Sequence, residues 1–274
     1  LGDKVRPEAV ERLMREARTA GSLAHPGIVP IHVMGVTDGV PYFAMTFLRG
    51  RTLDRALKDG ALPGLRDRAK VLCAVAQAVG HAHAHKVIHR DIKPSNVFLD
   101  EAGRTHVMDF GLAKNLDDGA RITATGQMIG TPQYMPPEQI DGDAARIGPA
   151  SDVYALGAVL YEALTGRPPF EGATVAEIVG KSLQSDPILP RSRDRRIHPD
   201  LETICLKALE KEPERRYPDG GAFAADLERY LKGEAIEARP ISVWTRMGRR
   251  MARQKLLTGL SAVVQSSSQS ARAP

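Results

Sequence analysis

The sequence predicts an α+β fold in which a small mixed part is followed by a larger and mostly helical part. Two β-rich runs, 28–36 and 42–47, are separated by the turn signal Thr-Asp-Gly and predict a hairpin. Apolar residues at helical spacing dominate after Arg49-Gly50. They predict helices near 52–58, 65–85, 136–141, 150–165, 173–184, 199–210 and 219–231.

The first predicted element is an amphipathic helix over 7–24 that begins with a proline in its first turn. Its apolar stripe consists of Val10, Leu13, Met14, Ala17 and Ala20. Glu16 lies beside this stripe. The helix and the hairpin together make up the small part of the fold.

Composition excludes several classes of protein. The chain has 274 residues, of which 42% are hydrophobic and 26% charged, which is typical of a folded soluble domain. The net charge is +5, but residues 239–274 hold seven basic residues and no acid, so the rest carries −2. Basicity confined to a tail does not indicate a nucleic-acid-binding face. No apolar segment follows a basic start at the N-terminus, so we expect a cytoplasmic protein.

The stretch VIHRDIKPSNVFLD concentrates residues suited to phosphoryl transfer. Asp91 can accept a proton, Lys93 can neutralise a phosphoryl oxygen, and Asn96 offers an oxygen to Mg²⁺. A second candidate Mg²⁺ ligand, Asp109, ends a strand-like run in HVMDFG. Phosphoryl transfer depends mostly on positioning and charge neutralisation, and these four residues can supply both.

The order of three motifs resembles that of eukaryotic-like (Hanks-type) bacterial serine/threonine protein kinases. The motifs are His89-Arg90-Asp91 with Lys93 and Asn96, then Asp109-Phe110-Gly111, then Pro136-Pro137-Glu138. The resemblance covers about 7–231 and implies the bilobal protein kinase fold. It also implies ATP and Mg²⁺ as cofactors and serine or threonine of proteins as substrate. A kinase for a small molecule is disfavoured by Thr131 in GTPQY and by the Pro-Pro-Glu motif.

The resemblance assigns roles to the residues of the nucleotide site. It implies that Asp91 is the catalytic base, that Lys93 contacts the transferred phosphoryl group, and that Asn96 and Asp109 hold Mg²⁺. The ATP site would consist of Glu16, which pairs with the ATP-contacting lysine, Met45 as gatekeeper, the hinge backbone from Thr46 to Leu48, and Phe98 under the adenine.

It also assigns regulatory and supporting residues. Arg90 would pair with a phosphorylated activation-loop residue, for which Thr123 and Thr125 are the candidates. Lys93 and Thr131 imply serine/threonine rather than tyrosine specificity. The supporting residues would be Asp152, which anchors the catalytic loop, and the pair of Glu138 with Arg216.

Two parts of the family pattern are missing ahead of Glu16: the glycine-rich loop and the strand lysine that grips the phosphates. A fragment of an active kinase, a truncated gene product and a pseudokinase-like interaction module all fit this observation. Retention of Asp91, Asn96 and Asp109 favours truncation. We therefore expect poor solubility and negligible ATP turnover from these residues alone.

The expected domains are a remnant of the small lobe over 1–47, the large lobe over 48–234 and a basic tail over 235–274. The tail contains RPISVWTRMGRRMARQK followed by a short apolar run. It is typical either of the approach to a transmembrane helix or of an amphipathic helix on a membrane or on the domain. The sequence thus predicts a cytoplasmic domain with membrane association as an alternative, and it gives no basis for an oligomeric state.

Overall fold

The computed structural model describes residues 14, 18, 21–37, 40–110 and 131–240. The chain separates into two compact units, 1–238 and 239–274, and all elements described below belong to the first. Met14, Arg18 and Gly21 are helical, within the stretch where the sequence predicts the amphipathic helix.

Five strands of the described residues form two separate antiparallel sheets. They are β1 Ile31–Thr37, β2 Val40–Met45, β3 Gly50–Thr52, β4 Val97–Asp100 and β5 Thr105–Val107. The predicted hairpin is confirmed as β1 and β2, with Thr37 opposite Val40 and Ile31 opposite Met45. Ile28, which the sequence placed in the first strand, instead forms a parallel bridge with Val107.

The second sheet, in the order β3-β4-β5, was not predicted as a sheet, although the strand-like run before Asp109 overlaps β5. Its strands have three or four residues, too few to show the alternation that identifies a strand. The sheet positions the site, because β4 begins just after Asn96 and β5 ends just before Asp109. The segment before β1 is fixed to β5, since Val107 N donates to Gly27 O over 2.8 Å.

The hairpin presents apolar side chains to solvent. The exposed ones on and beside β1 and β2 include Val33, Val36, Val40, Tyr42 and Phe47. Phe47 is 86% exposed. Contiguous exposed apolar surface lowers solubility, and the expectation of poor solubility therefore stays a prediction with a structural reason.

The helices of the described residues follow the sequence pattern closely. They are α1 Leu53–Lys58, α2 Leu65–Ala84, α3 Pro137–Ile140, α4 Pro149–Thr165, α5 Val175–Gln184, α6 Pro190–Arg193, α7 Pro199–Ala208 and α8 Gly220–Lys232. Each predicted helix in this part of the chain begins and ends within two residues of the observed one. The four-residue α6 was not predicted.

Helix α4 is the centre of the large helical part. Thirteen of its seventeen residues are buried, so the helix is enclosed on all sides by α2, α7 and α8. A helix buried all round gives a polar residue within it a fixed position. Asp152, in its first turn, is such a residue, with 1% exposure.

Helices α2 and α8 cross at a contact between glycines. A Cβ atom on Gly80 would lie only 2.5 Å from the backbone nitrogen of Gly221, and one on Gly220 would lie 2.8 Å from Gly80 N. The two backbones can approach this closely only because no side chain intervenes. The crossing brings the N-terminal amide of α8 to the last turn of α2.

Candidate active site

The loop between α2 and β4 brings together three of the predicted site residues. Lys93 Nζ lies 2.7 Å from Asp91 Oδ2, and Asn96 Nδ2 lies 3.2 Å from the same oxygen. Asn96 Nδ2 also donates to Asp91 O over 2.9 Å. A short 3₁₀ helix, Pro94–Asn96, turns the chain so that these side chains converge on one carboxylate.

The backbone of this loop is held by Asp152. Its Oδ2 accepts the N–H of His89 over 2.7 Å and its Oδ1 accepts the N–H of Arg90 over 2.8 Å. Arg90 has a φ of 65°, in the left-handed region that non-glycine residues seldom adopt. Such a conformation persists where surrounding contacts impose it, and the carboxylate of Asp152 is one of those contacts.

His83 supports Asp152 from the other side, a role that was not predicted. Its Nδ1 accepts the N–H of Gly220 over 3.1 Å, so Nε2 carries the hydrogen and donates to Asp152 Oδ2 over 2.8 Å. The side chains of His83 and Asp152 are 3% and 1% exposed. The sequence shows only one histidine among several on a helix, and no local signal distinguishes it.

His89 links the loop to the segment that ends in Asp109. Its Nδ1 accepts the N–H of Asp91 over 3.3 Å, and its Nε2 then donates to Met108 O over 2.9 Å. Its ring centroid lies 4.6 Å from that of Phe110. Complete burial lowers the pKa of His89 below its ordinary value, so the neutral ring is favoured.

Asn96 and Asp109 lie on adjacent backbone segments. Met108 N donates to Asn96 O over 2.9 Å, which fixes the residue before Asp109 against Asn96. Asp109 is exposed and has a φ of 59°, a conformation that turns the chain sharply after β5. The hydrogen bonds of the Asn96 amide use its nitrogen, so its oxygen is the atom suited to a metal.

This pair fits Mg²⁺ rather than a cation held by protein groups alone. Within the described ranges, no group of three or more His, Cys, Asp or Glu side chains is arranged to hold a metal. Mg²⁺ commonly binds one or two protein oxygens and completes its octahedron with waters and substrate phosphates. One carboxylate and one amide oxygen beside the predicted nucleotide site match that requirement.

The hinge residues follow β2. Thr46 N donates to Pro30 O over 3.1 Å, and Thr46 Oγ1 lies 2.8 Å from His32 Nε2. The amide of Thr46 is therefore occupied, so the predicted adenine contact would fall to its carbonyl and to the backbone of Leu48. Met45 is the last residue of β2, and Phe98 lies half-buried in β4 opposite Thr52.

Glu138 and Arg216 form a buried ion pair with two hydrogen bonds, of 2.7 and 2.8 Å. Both side chains are fully buried, and Ser151 Oγ donates to Glu138 Oε1 over 2.6 Å. Burial alone would raise the pKa of Glu138, but the hydrogen bonds and charge of Arg216 outweigh it and lower the pKa below its ordinary value. The pair fixes α3 to the loop before α8.

The segment from Thr131 to α3 lies against the Asp91 loop. A small pocket between them is lined by Arg90, Asp91, Lys93, Thr131, Met135 and Gln139. Tyr134 Oη donates to Glu162 Oε2 over 2.5 Å, which fastens the segment to α4. Burial and the adjacent Glu162 raise the pKa of Tyr134, so its hydroxyl stays protonated.

Three predicted site residues, Glu16, Thr123 and Thr125, lie outside the described residues. So does nearly all of the basic tail. Among the helices that the structure describes, none is both long enough and apolar enough to cross a bilayer.

Comparison with known proteins gives a consistent result. The family model described as the protein kinase domain matches residues 2–224. Serine/threonine-protein kinase PknB of Mycobacterium leprae is 39% identical over 237 residues, 85% of this chain and 38% of that protein. The probable serine/threonine-protein kinase SCO3848 of Streptomyces coelicolor is 36% identical over 237 residues, 85% of this chain and 35% of that protein. The chain spans little more than a third of the length of these relatives.

Solved structures support the same fold. The crystal structure of the Mycobacterium tuberculosis PknI kinase domain matches with a TM-score of 0.63 and 24% sequence identity. The match covers 82% of this chain and 80% of that domain. The predicted bilobal kinase fold is therefore confirmed.

Proposed function

Because the chain belongs to the protein kinase domain family, we propose that it carries the catalytic loop of an ATP-dependent serine/threonine protein kinase. The observation that carries the proposal is the convergence of Lys93 and Asn96 on the carboxylate of Asp91, at 2.7 and 3.2 Å. This loop is also hydrogen-bonded to the backbone just before Asp109. A base, a cation and two metal-binding oxygens thus lie together.

Each residue has a role that follows from its chemistry. Asp91 accepts the proton of the substrate hydroxyl, and Lys93 neutralises the phosphoryl oxygens and orients Asp91. Asn96 and Asp109 would hold Mg²⁺, which supplies charge neutralisation at the phosphates when bound. Glu16, Met45, Thr46, Leu48 and Phe98 form the remainder of the proposed ATP site.

Substrate choice is assigned to Lys93 and Thr131, and regulation to Arg90 with the segment after Asp109. Lys93 and Thr131 favour a serine or threonine hydroxyl, since both face the pocket beside Asp91. Phosphorylation of Thr123 or Thr125 would supply an anion for Arg90 and order this segment. Alanine at both threonines should lower the activity of an intact parent kinase several-fold, and unchanged rates with unchanged phosphopeptide maps would contradict this assignment.

The phosphoryl-transfer proposal can be tested by adding a glycine-rich loop and a strand lysine, the two parts that contact the ATP phosphates in the family. Residues 1–274 contain no glycine-rich loop and no strand lysine before Glu16, so they alone should turn over ATP negligibly. A fusion that adds the segment of a bacterial relative bearing the glycine-rich loop and the strand lysine ahead of residue 1 should phosphorylate a generic Ser/Thr protein substrate with ATP and Mg²⁺.

The controls separate catalysis from folding. Asp91→Asn in the fusion should lower the rate by at least about 10³-fold, whereas Asp59→Asn, at an exposed aspartate, should leave it unchanged. Robust phosphorylation by residues 1–274 alone would overturn the predicted inactivity. A folded but inactive fusion would instead support the alternative, an interaction module without phosphoryl transfer.

We assign a membrane surface as a partner of the basic tail, because residues 239–274 of the tail hold seven cations and no acid. Residues 1–274 should bind anionic liposomes at low salt and detach from them at high salt. Residues 1–238 should not bind them at either salt concentration. Equal binding by both chains would contradict the assignment.

A further inference from the structure

The peptide group between Arg90 and Asp91 is held at both ends by side chains. Its carbonyl, Arg90 O, accepts a hydrogen bond from Gln139 Nε2 over 3.1 Å, and its N–H donates to His89 Nδ1 over 3.3 Å. This peptide group directly precedes the carboxylate proposed as the base. Its orientation decides where the Asp91 side chain points, because rotation of the plane also turns the Cα–Cβ bond.

Gln139 is itself rigidly placed. It is 6% exposed and lies in α3, where its backbone N–H donates to Pro136 O over 3.0 Å. The preceding residue is Glu138, whose buried ion pair with Arg216 holds α3 in position. The amide of Gln139 therefore reaches Arg90 O from a supported element rather than from a loose surface side chain.

The conformation at Arg90 needs such support. Its φ of 65° is unfavourable for a residue with a Cβ atom. Asp152 Oδ1 holds the N–H side of Arg90 at 2.8 Å, and Gln139 holds its carbonyl side. Because both groups are fixed, Arg90 cannot leave this conformation without breaking one of two partly buried hydrogen bonds.

We propose that Gln139 is a positioning residue for Asp91, through which the segment from Thr131 to α3 fixes the orientation of the proposed catalytic base. The proposal rests on the proposed function for its catalytic meaning, and its structural part stands on the hydrogen bond to Arg90 O. Gln139 touches the backbone of the loop and acts through Asp91.

The chemistry at position 139 gives a distinctive signature. A carbonyl oxygen needs a donor, which the glutamine amide supplies. Methionine has nearly the same shape and no donor. An ionised glutamate presents an acceptor to the carbonyl, but a protonated one donates, and burial raises the pKa of a carboxyl group. Gln139→Glu should thus regain the wild-type behaviour as the pH falls, and Gln139→Met should not.

The first test uses residues 1–274 and needs no activity. Amide hydrogen exchange of peptides covering 88–93 is compared among wild type, Gln139→Met, Gln139→Glu and the control Gln184→Met, which alters an exposed glutamine at the end of α5. Gln139→Met should lower protection of 88–93 about fivefold, as expected for the loss of one hydrogen bond. The control should leave it unchanged. Unaltered protection in Gln139→Met would overturn the proposal.

The second test uses the active fusion and follows pH. Gln139→Met should lower kcat about tenfold with little change in the KM for ATP, because the base is misplaced while the hinge is intact. Gln139→Glu should be impaired at about pH 8 and recover towards about pH 5.5. If kcat fell equally in Gln139→Met and Gln139→Glu and did not recover at low pH, Gln139 would have only a packing role. If the wild-type fusion is inactive, the proposed function fails, and the exchange experiment still decides on Gln139.

Discussion

At the scale of single residues, the carboxylate of Asp152 organises the loop that carries Asp91. It accepts hydrogen bonds from the backbone N–H groups of His89 and Arg90 and from the ring of His83. The contacts to His83 and His89 are buried and the one to Arg90 is partly buried. A buried polar group without its partner costs about 1–3 kcal/mol. The position of the proposed base is therefore set by a residue in another element, the first turn of α4.

His89 gives this region a pH dependence of stability. Its pKa in the folded chain lies below the ordinary value of 6.5, because burial disfavours the charged ring. Below pH 6.5 the unfolded chain binds a proton that the folded chain does not. The free energy of unfolding therefore decreases as the pH is lowered from 6.5 to the pKa of His89 in the folded chain. Urea denaturation of residues 1–274 at several pH values should show this fall.

The contribution of His89 can be isolated by comparing slopes. His25 also has a lowered pKa, caused by burial and by the nearby His81, so the wild-type slope contains both. His89→Gln should flatten the slope below pH 6.5 even if it lowers stability at every pH. His198→Gln, at an exposed histidine, serves as the control. An unchanged slope in His89→Gln would show that the ring is not kept neutral.

What the sequence predicts at this scale depends on separation along the chain. Asp91, Lys93 and Asn96 lie within six residues, so one local turn can bring them together, and the motif implies that it does. His83 and Asp152 are 69 residues apart, and Gln139 and Arg90 are 49 apart. Their pairing depends on how α2, α3 and α4 pack, for which a single sequence holds no local signal.

At the scale of elements, the crossing of α2 and α8 depends on glycine. Gly80→Ala should destabilise the chain by about 1–3 kcal/mol, since its Cβ atom would meet the backbone of Gly221 and force the helices apart. Gly180→Ala is the matched control, because Gly180 is also helical but has nothing within 4 Å of its Cβ position. That change should stabilise by about 0.5–1 kcal/mol through helix propensity.

The two substitutions are chemically identical, but they should change the free energy of unfolding in opposite directions. Chemical denaturation of both variants checks the prediction directly. A gain of stability in Gly80→Ala would mean that the helices are not in contact at this point. The Gly80 variant should also raise amide exchange at 88–93, because the crossing brings Gly220 N within 3.1 Å of His83 Nδ1.

Long helices and strands are easier to predict from the sequence than short ones. Helices such as α2 and α4, with 20 and 17 residues, show several turns of apolar spacing, and their bounds were predicted closely. The strands β3, β4 and β5 and the helix α6 have three or four residues each, too few for any period. The motifs nevertheless predict a candidate site, because side chains that match a family pattern are recognisable by type and order even where the elements are short.

At the scale of the whole molecule, one buried aspartate binds the C-terminal end of the first compact unit to α8. Asp226 in α8 accepts the backbone N–H groups of Glu237 and Ala238, over 2.7 and 2.9 Å, and the hydroxyl of Tyr217 over 2.8 Å. Burial would raise the pKa of Asp226, but the two amide hydrogen bonds outweigh it and lower the pKa below its ordinary value. The chain after α8 thus returns to the helix before the tail begins.

This closure predicts that the folded unit needs residues up to 238 rather than ending at 234, where the sequence placed the boundary. Residues 1–238 should melt within about 2 °C of residues 1–274, because both donors to Asp226 are retained. Residues 1–234 lose both donors and leave a buried carboxylate poorly satisfied, which should lower the Tm by roughly 5–10 °C. Asp226→Asn in residues 1–238 should lower the Tm in the same direction, whereas Asp59→Asn, at an exposed site, should not. Equal melting of the 234 and 238 chains would show that the returning segment adds nothing to the fold, and the boundary at 234 would then stand.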